Sequence, residues 1–412
     1  MQVVYQRCAG LDVHKRTVVA CVLLSQSNGA VVAQVRTFGA MTRDLAALSG
    51  WLRDQQVEQV ALESTGVYWW PVFNLLEEAG HGVLLVNPQH MKAVPGRKTD
   101  VADSRWLADL LRHGLLRASF IPPATIRQLR ELTRYRKALV QERTQEVNRL
   151  QKVLESANIK LAGVASDILG ASGRDMLRAL ADGEDNPAVV ADLARGVLRK
   201  KLELLGHALE GRVKPHHRVL LRAILQHSTF LEASIKGLDA ELEHVLVPFT
   251  EQRQLLQTIP GVNRTAAATI IAEIGVAMTR FASAAHLASW AGVCPGNNQS
   301  GATRRSGRTT DGDPWLRGLL GEVAWAAVHQ KGTSFGTRFR RLARRHNKQK
   351  ALVAVMHNLV IVIYHVLRDQ TPYRELGPDY FPPNDPQRQT RRHVQRLEQL
   401  GYAVTLGPHV VA

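Results

Sequence analysis

Residues 8–24 read CAGLDVHKRTVVACVLL, and this stretch decides the fold. Two runs rich in apolar and β-branched residues, 8–13 and 17–24, flank the polar turn His14-Lys15-Arg16, a pattern that predicts paired strands. Asn28-Gly29 follows as a hairpin signal, because type I′ turns need positive φ, and residues 30–37 are expected to return as a third strand. Thr42 is then expected to cap a helix with Leu45, Leu48, Trp51 and Leu52 on one face. Residues 57–62 predict a fourth strand, 67–79 a helix closed by Gly80, and 82–86 a fifth strand. A loop with Pro88 and Pro95 leads to a last helix over 100–112.

The order βββαβαβα describes a mixed α/β sheet with helices packed on it, and it matches the ribonuclease H-like fold. Four carboxylates fall at informative places in that order. Asp12 ends the first strand, Glu63 ends the fourth, and Asp100 and Asp103 open the last helix three residues apart, on one helix face. Asp100 has an alternative role as a helix cap, Asp103 as a first-turn acid that suits the helix dipole, and Glu63 as a loop residue. Asp12 stands inside an apolar strand and needs a partner there. Acids converging on one sheet edge form the oxygen-rich pocket that hard Mg²⁺ ions need, and two such ions suit phosphodiester chemistry.

Beyond Ala124 the pattern turns helical. Leu129, Leu132, Leu139, Val147, Leu150 and Leu154 keep the spacing of a long amphipathic or coiled-coil helix. Residues 170–186, rich in Gly and Asp, are read as a break, with helices resuming at Pro187 and a second break near Lys214-Pro215. Four regions are expected: a catalytic α/β domain over 1–120, a helical oligomerisation spacer over 121–250, a mainly α domain over 251–370, and a basic, Pro-rich tail over 371–412. Residues 256–275 read as helix, tight Pro260-Gly261 turn and helix. This is similar to the helix-hairpin-helix of DNA-binding proteins, in which turn amides near Gly261 face a phosphate; a packing-only αα-hairpin fits the same spacing.

The net charge of +17 calls for a polyanionic partner, most simply nucleic acid. Positions 301–350 alone hold twelve Lys or Arg against Asp311, Asp313 and Glu322. Cys8, Cys21 and Cys294 are scattered and lack metal-ligand spacing, as suits a reducing cytosol. The N-terminus lacks a signal-peptide pattern, and the apolar run 351–367 is interrupted by His357, Asn358 and His365. These features predict a cytoplasmic, nucleoid-associated protein with no membrane partner.

The loop 294–308 is the second chemical candidate. Ser300 precedes Gly301, where a phosphate can approach closely, and Arg304, Arg305 and Arg308 suit a pentavalent phosphorus. Ser306, also followed by Gly, is a rival, and an ordinary turn role fits either serine. No nearby His or Asp forms an obvious general-base pair, which argues against a hydrolase triad. Asp313-Pro314 is expected to start a helix anchored by Leu316, Leu319, Leu320, Val323 and Ala327.

Five motifs in order carry a resemblance to a known family. They are Gly-Leu-Asp-Val-His-Lys, Glu-Ser-Thr-Gly-Val-Tyr-Trp, Lys-Thr-Asp-Val-Ala-Asp-Ser, Ile-Pro-Gly-Val, and Gln-Ser-Gly followed by Trp-Leu-Arg-Gly-Leu-Leu. The chain resembles the DEDD transposases of the bridge-RNA-guided insertion sequences (insertion-sequence family one hundred and ten). That likeness implies a Holliday-junction-resolvase-like domain with Asp12, Glu63, Asp100 and Asp103 as its metal-binding acids, and Ser300 as a nucleophile that holds DNA covalently. It further implies a homo-oligomer (dimer or tetramer) with composite sites, and a noncoding bridge RNA that pairs with donor and target DNA. The family often carries a Gly-Gly-Lys-like run after the serine, where this chain has Gly301-Ala-Thr-Arg304. The alternatives are a junction nuclease that never uses Ser300 and a non-catalytic nucleic-acid binder.

Overall fold

A computed structural model describes residues 2–26, 29–63, 66–87, 100–296, 299–300, 303–304, 308–380 and 386–407. For residues 100–102, 299–300 and 303–304, among others, the description is of the backbone alone. The chain divides into two compact units, Met1–Ala124 and Thr125–Ala412.

The first unit is built from β1 (Arg7–Val13), β2 (Thr17–Ser25), β3 (Val31–Gly39), α1 (Thr42–Asp54), β4 (Gln59–Glu63), α2 (Trp69–Glu78), β5 (Gly82–Val86) and α3 (Asp100–Arg112). The sheet order is β3-β2-β1-β4-β5. β1–β2 and β2–β3 are antiparallel, whereas β1–β4 and β4–β5 are parallel. This is the expected ribonuclease H-like arrangement. It arises because two tight connections make the antiparallel meander and helical crossovers make the parallel pairs. Side-chain alternation splits the sheet into two faces. Leu11, Val18, Val60 and Leu62 pack with α1 and α2, while Cys8, Cys21 and Ala61 pack under Leu107, Ala108 and Leu111 of α3.

Asn28 lies outside the described residues, and Gly29 has φ +81° as a hairpin turn requires. Thr42 proves not to be the helix cap. Met41 holds that position without a side-chain bond, and Thr42 is the first helical residue.

The second unit opens with α4 (Ala124–Ser156), followed by α5 (Leu161–Val164), α6 (Ala171–Asp182), α7 (Pro187–Asp192), α8 (Leu202–Leu209) and α9 (Pro215–Val245). These helices enclose a core that includes Leu150, Leu154, Met176, Leu177, Leu209 and Leu221. The expected break at 170–186 is mostly helix α6. Its buried Met176, Leu177, Leu180 and Ala181 form one apolar stripe, which outweighs the helix-weakening Gly and Asp residues around it.

Next come α10 (Thr250–Gln257), α11 (Arg264–Ile274), α12 (Ala284–Trp290), the two short strands β6 (Gln299–Ser300) and β7 (Thr303–Arg304), α13 (Pro314–His329), α14 (Ser334–Ala343), α15 (Lys348–Asp369) and α16 (Pro386–Gln399). α15 is long and apolar enough to cross a membrane by length and composition, yet 50% of its apolar window is buried. It packs against α12, α13 and α14, as a core helix does.

Candidate active site

In the parallel β1–β4 pair, Gly10 stands beside Ala61 and Leu11 beside Leu62. One residue further stand two acids, Asp12 as the penultimate residue of β1 and Glu63 as the last residue of β4. Strand alternation puts both on the face that carries Cys8 and Ala61, which α3 covers. α3 runs against β1. Its Arg112 carbonyl accepts from the Val4 amide at 2.9 Å, and its middle lies on Gly10. A Cβ on Gly10 would meet the Ser104 carbonyl oxygen at 2.2 Å and the Ala108 nitrogen at 2.5 Å, so only glycine admits the helix this close. The first turn of α3 therefore reaches past Gly10 toward the strand ends.

Asp103 lies on that turn, one turn before the buried Leu107, and is half-buried. Asp100 is the first residue of α3, and its side chain lies outside the described residues. Asp12 is 15% exposed, with an oxygen 3.2 Å from Nε2 of His14. Among the described residues, no group of three or more His, Cys, Asp or Glu stands close enough to hold a metal ion. The donors are nevertheless of the right kind. Asp12, Glu63 and Asp103 offer carboxylate oxygens at one corner of the sheet, the ligand type Mg²⁺ selects.

In the second unit the loop expected to carry the serine is a small antiparallel ribbon, with Ser300 paired to Thr303. Its base is closed by Gly296 donating to the Arg308 carbonyl at 2.8 Å and by a bridge between Pro295 and Thr309. Below that, Gly292 and Gly312 form a neck. A Cβ on Gly312 would lie 2.2 Å from the Gly292 nitrogen. Arg308 is exposed. The side chains of Ser300 and Arg304, and all of Arg305 and Ser306, lie outside the described residues.

The ribbon leads directly into Asp313, which caps α13 by accepting from the Leu316 amide at 2.7 Å. Asp313 also accepts from Arg134 of α4 at 3.1 Å. Arg134 forks onto the fully buried Glu273 of α11 with bonds of 2.9 and 2.8 Å, and Arg130 approaches the same carboxylate at 3.3 Å. Burial pushes the Glu273 carboxyl up, while the Arg134 and Arg130 charges oppose that shift. The Arg134 guanidinium also lies 5.4 Å from the ring centre of Trp315, in the first turn of α13.

Gly261, expected at a phosphate, has φ +85°, and a Cβ there would meet the Val323 carbonyl at 2.5 Å and the Ala327 nitrogen at 2.9 Å. The turn between α10 and α11 thus sits on α13, and helix packing accounts for this glycine. Asn263 caps α11 by accepting from Ala266 at 2.8 Å.

A profile described as a transposase of the DEDD, IS110 type matches residues 9–159, and one described as "Transposase IS116/IS110/IS902 family" matches residues 253–340. Together they cover more than half of the chain, in the order in which the two units carry the acids and the serine ribbon. The chain belongs to the IS110 transposase family. This IS110-family chain is 30% identical over 122 residues to the pilin gene-inverting protein of Moraxella bovis, covering 29% of this chain and 38% of that protein. It is 26% identical over 332 residues to the insertion element IS116 44.8 kDa protein of Streptomyces clavuligerus, covering 72% of this chain and 81% of that one. Thermus thermophilus RuvC aligns with 27% of this chain and 99% of its own length, at 17% identity and a TM-score of 0.23.

Sequence reasoning missed the residues that set this geometry. Gly10 was legible only as part of a strand, although a glycine on the buried face of a strand does signal a close approach. Arg134 and Glu273 look like ordinary helix-surface charges until the helices are packed together.

Proposed function

We propose that this chain is a DNA transposase/recombinase that cuts and rejoins strands at two chemical centres. The observation that supports the proposal is the parallel register of β1 and β4, in which Leu11 pairs with Leu62, the residues that immediately precede Asp12 and Glu63. Asp12, Glu63, Asp100 and Asp103 would hold Mg²⁺, two ions in the fullest occupancy. Bound there, the metal supplies Lewis-acid stabilisation of charge on a phosphodiester.

The serine ribbon supplies the nucleophile. The Ser300 hydroxyl oxygen attacks phosphorus, its proton passes to solvent or a nearby base, and the P–O bond to the departing strand breaks to leave a hydroxyl. Attack by the hydroxyl of another strand reverses the exchange and frees the serine, so the number of phosphodiester bonds is conserved. Arg304, Arg305 and Arg308 balance the charge at phosphorus, and the turn at Gly261 lies beside the same unit's α13.

Donor and target DNA are the substrates, and an element-encoded bridge RNA selects them by pairing. A homo-oligomer, its contacts made through the middle region 121–250, brings acids and serine of different subunits together, in the cytoplasm at the nucleoid. Support for this finer reading comes from the family membership, the strong positive charge and the order of the five motifs.

Adduct trapping tests it. Protein, Mg²⁺, the flanking noncoding RNA and end-labelled junction DNA are denatured together and resolved on a gel, with peptide mapping of any shifted band. A DNA-linked peptide containing Ser300, lost in Ser300→Ala and in Asp12→Ala, is the expected result. Cut DNA without an adduct, unchanged in Ser300→Ala, would replace the proposal with a metal-dependent junction nuclease.

A further inference from the structure

The densest positive surface of the chain belongs to neither centre. Between Glu322 and Asp369 the sequence has no acidic residue and nine Lys or Arg. The cations concentrate where α14 passes into α15, and Arg340, Arg341, Arg344, Arg345, Lys348 and Lys350 are all exposed there. Elsewhere in this unit several long cationic side chains are paired, as in Arg143 with Glu232 at 2.8 Å and Arg253 with Glu243 at 2.7 Å. Arg344, Arg345, Lys348 and Lys350 have no carboxylate partner among the described residues. Like charges packed this closely repel one another, so the arrangement costs stability unless a polyanion covers it.

An exposed tryptophan adjoins this surface. Trp325 of α13 is 51% exposed, off the buried stripe of Leu316, Leu319, Leu320, Val323 and Ala327. Its ring meets Phe339 of α14 edge-on, with centres 6.5 Å apart, and the tilted ring of His329 at 4.6 Å. Phe339 immediately precedes Arg340 and Arg341. A large indole packed on its neighbours but left open to water, close to exposed cations, is the combination that binds unpaired nucleotides: the ring stacks on a base and the cations follow the phosphates.

We propose that the Trp325 edge and the cations of the α14–α15 junction bind an unpaired stretch of DNA. Duplex DNA hides its base faces and gains nothing from the indole. The choice of DNA rests on the strand-exchange reading above. α13 leads out of the serine ribbon, and Trp325 lies eleven residues past Pro314, about 16 Å along the helix.

The test uses the full chain in EDTA, so that no cleavage is needed, and follows the anisotropy of one labelled sequence presented as single-stranded DNA, as duplex DNA and as RNA. Trp325→Ala should weaken single-stranded DNA about tenfold and leave duplex DNA within about twofold, and Trp325→Phe should restore most of the loss. Arg344→Ala combined with Arg345→Ala should weaken every polyanion and flatten the salt dependence by about two phosphate contacts. In Trp325→Ala, equal losses for single-stranded and duplex DNA, unchanged binding, or a larger loss for RNA than for single-stranded DNA would each overturn the proposal. So would a change of oligomeric size in Trp325→Ala without a change in DNA affinity. Adduct trapping run in parallel separates the two readings. An indole-dependent affinity in a protein that forms no adduct upholds this surface and removes the serine, and the converse pair of results does the opposite.

Discussion

Arg134 grips Glu273 through two parallel hydrogen bonds of 2.9 and 2.8 Å, although the residues are 139 positions apart in the chain. The same guanidinium reaches Asp313, the residue on which the serine ribbon ends and α13 begins. One arginine therefore joins α4, α11 and the lower end of the ribbon. Glu273 is 0% exposed, so its removal leaves two guanidinium groups facing a buried site. Glu273→Ala is expected to destabilise the second unit by about 3–5 kcal/mol, as breaking a buried pair does. Urea unfolding monitored in that unit checks it, and a loss under about 1 kcal/mol would show that the pair is solvated.

Gly10→Ala should act on the acidic corner without touching an acid. The new methyl would strike backbone atoms of Ser104 and Ala108, which cannot turn aside as a side chain can. α3 must lift, at a cost of about 1–3 kcal/mol from overpacking, and its first turn moves away from Asp12 and Glu63. Thermal unfolding should show the loss of stability. Strand cleavage at a temperature where the variant remains folded should fall as well. Full cleavage would mean that the position of α3 does not matter to the chemistry.

Asp12→Asn and Glu63→Gln keep the shape of each side chain and remove its charge. Each is expected to lower strand cleavage by about a hundredfold or more, with DNA affinity in EDTA unchanged. Calorimetric titration with Mg²⁺ gives an independent readout, in which the variants should bind fewer ions or bind them more weakly. Unaltered Mg²⁺ binding in both would remove these residues from the metal site.

Cys8 reports on opening of the first unit. Burial pushes its thiol up to about 12, and its sulfur donates to the Ala108 carbonyl at 3.4 Å. Near pH 8 the folded thiol is protonated and covered, so alkylation should require opening of α3 from the sheet. The raised value also sets a pH dependence. The unfolded thiol loses its proton first, so this group leaves stability intact below about pH 9. It removes about 1.4 kcal/mol per pH unit as the pH rises from there toward 12. Cys8→Ser should flatten that alkaline decline in unfolding experiments. An unchanged decline would assign it to other groups.

Much of the first unit was legible in the sequence, and for a physical reason. Strand alternation, the Gly29 turn, the helix-ending Gly80 and the Asp313-Pro314 helix start are each encoded within a few neighbouring residues, where backbone sterics and local hydrogen bonds act. The places of four carboxylates in the element order were legible too, Asp12 near the end of β1, Glu63 at the end of β4, and Asp100 and Asp103 on the first turn of α3. So was the excess of cations after Glu322. Helix α6 was misread because Gly and Asp propensities are local, whereas the burial of Met176, Leu177 and Leu180 that overrides them is supplied by Leu150, Leu154, Leu221 and their neighbours in the same core.

The sequence by itself determined the elements, the charge and the chemical groups this protein can use. Tertiary structure alone decided that Gly10 lies under Ser104, that Gly312 closes against Gly292, that Gly261 is spent on packing α13, and that Arg134 joins Glu273 to Asp313. Those contacts depend on which residues meet when distant helices and strands close on a shared core. That meeting is set by the burial of whole faces and leaves no periodic trace around either partner.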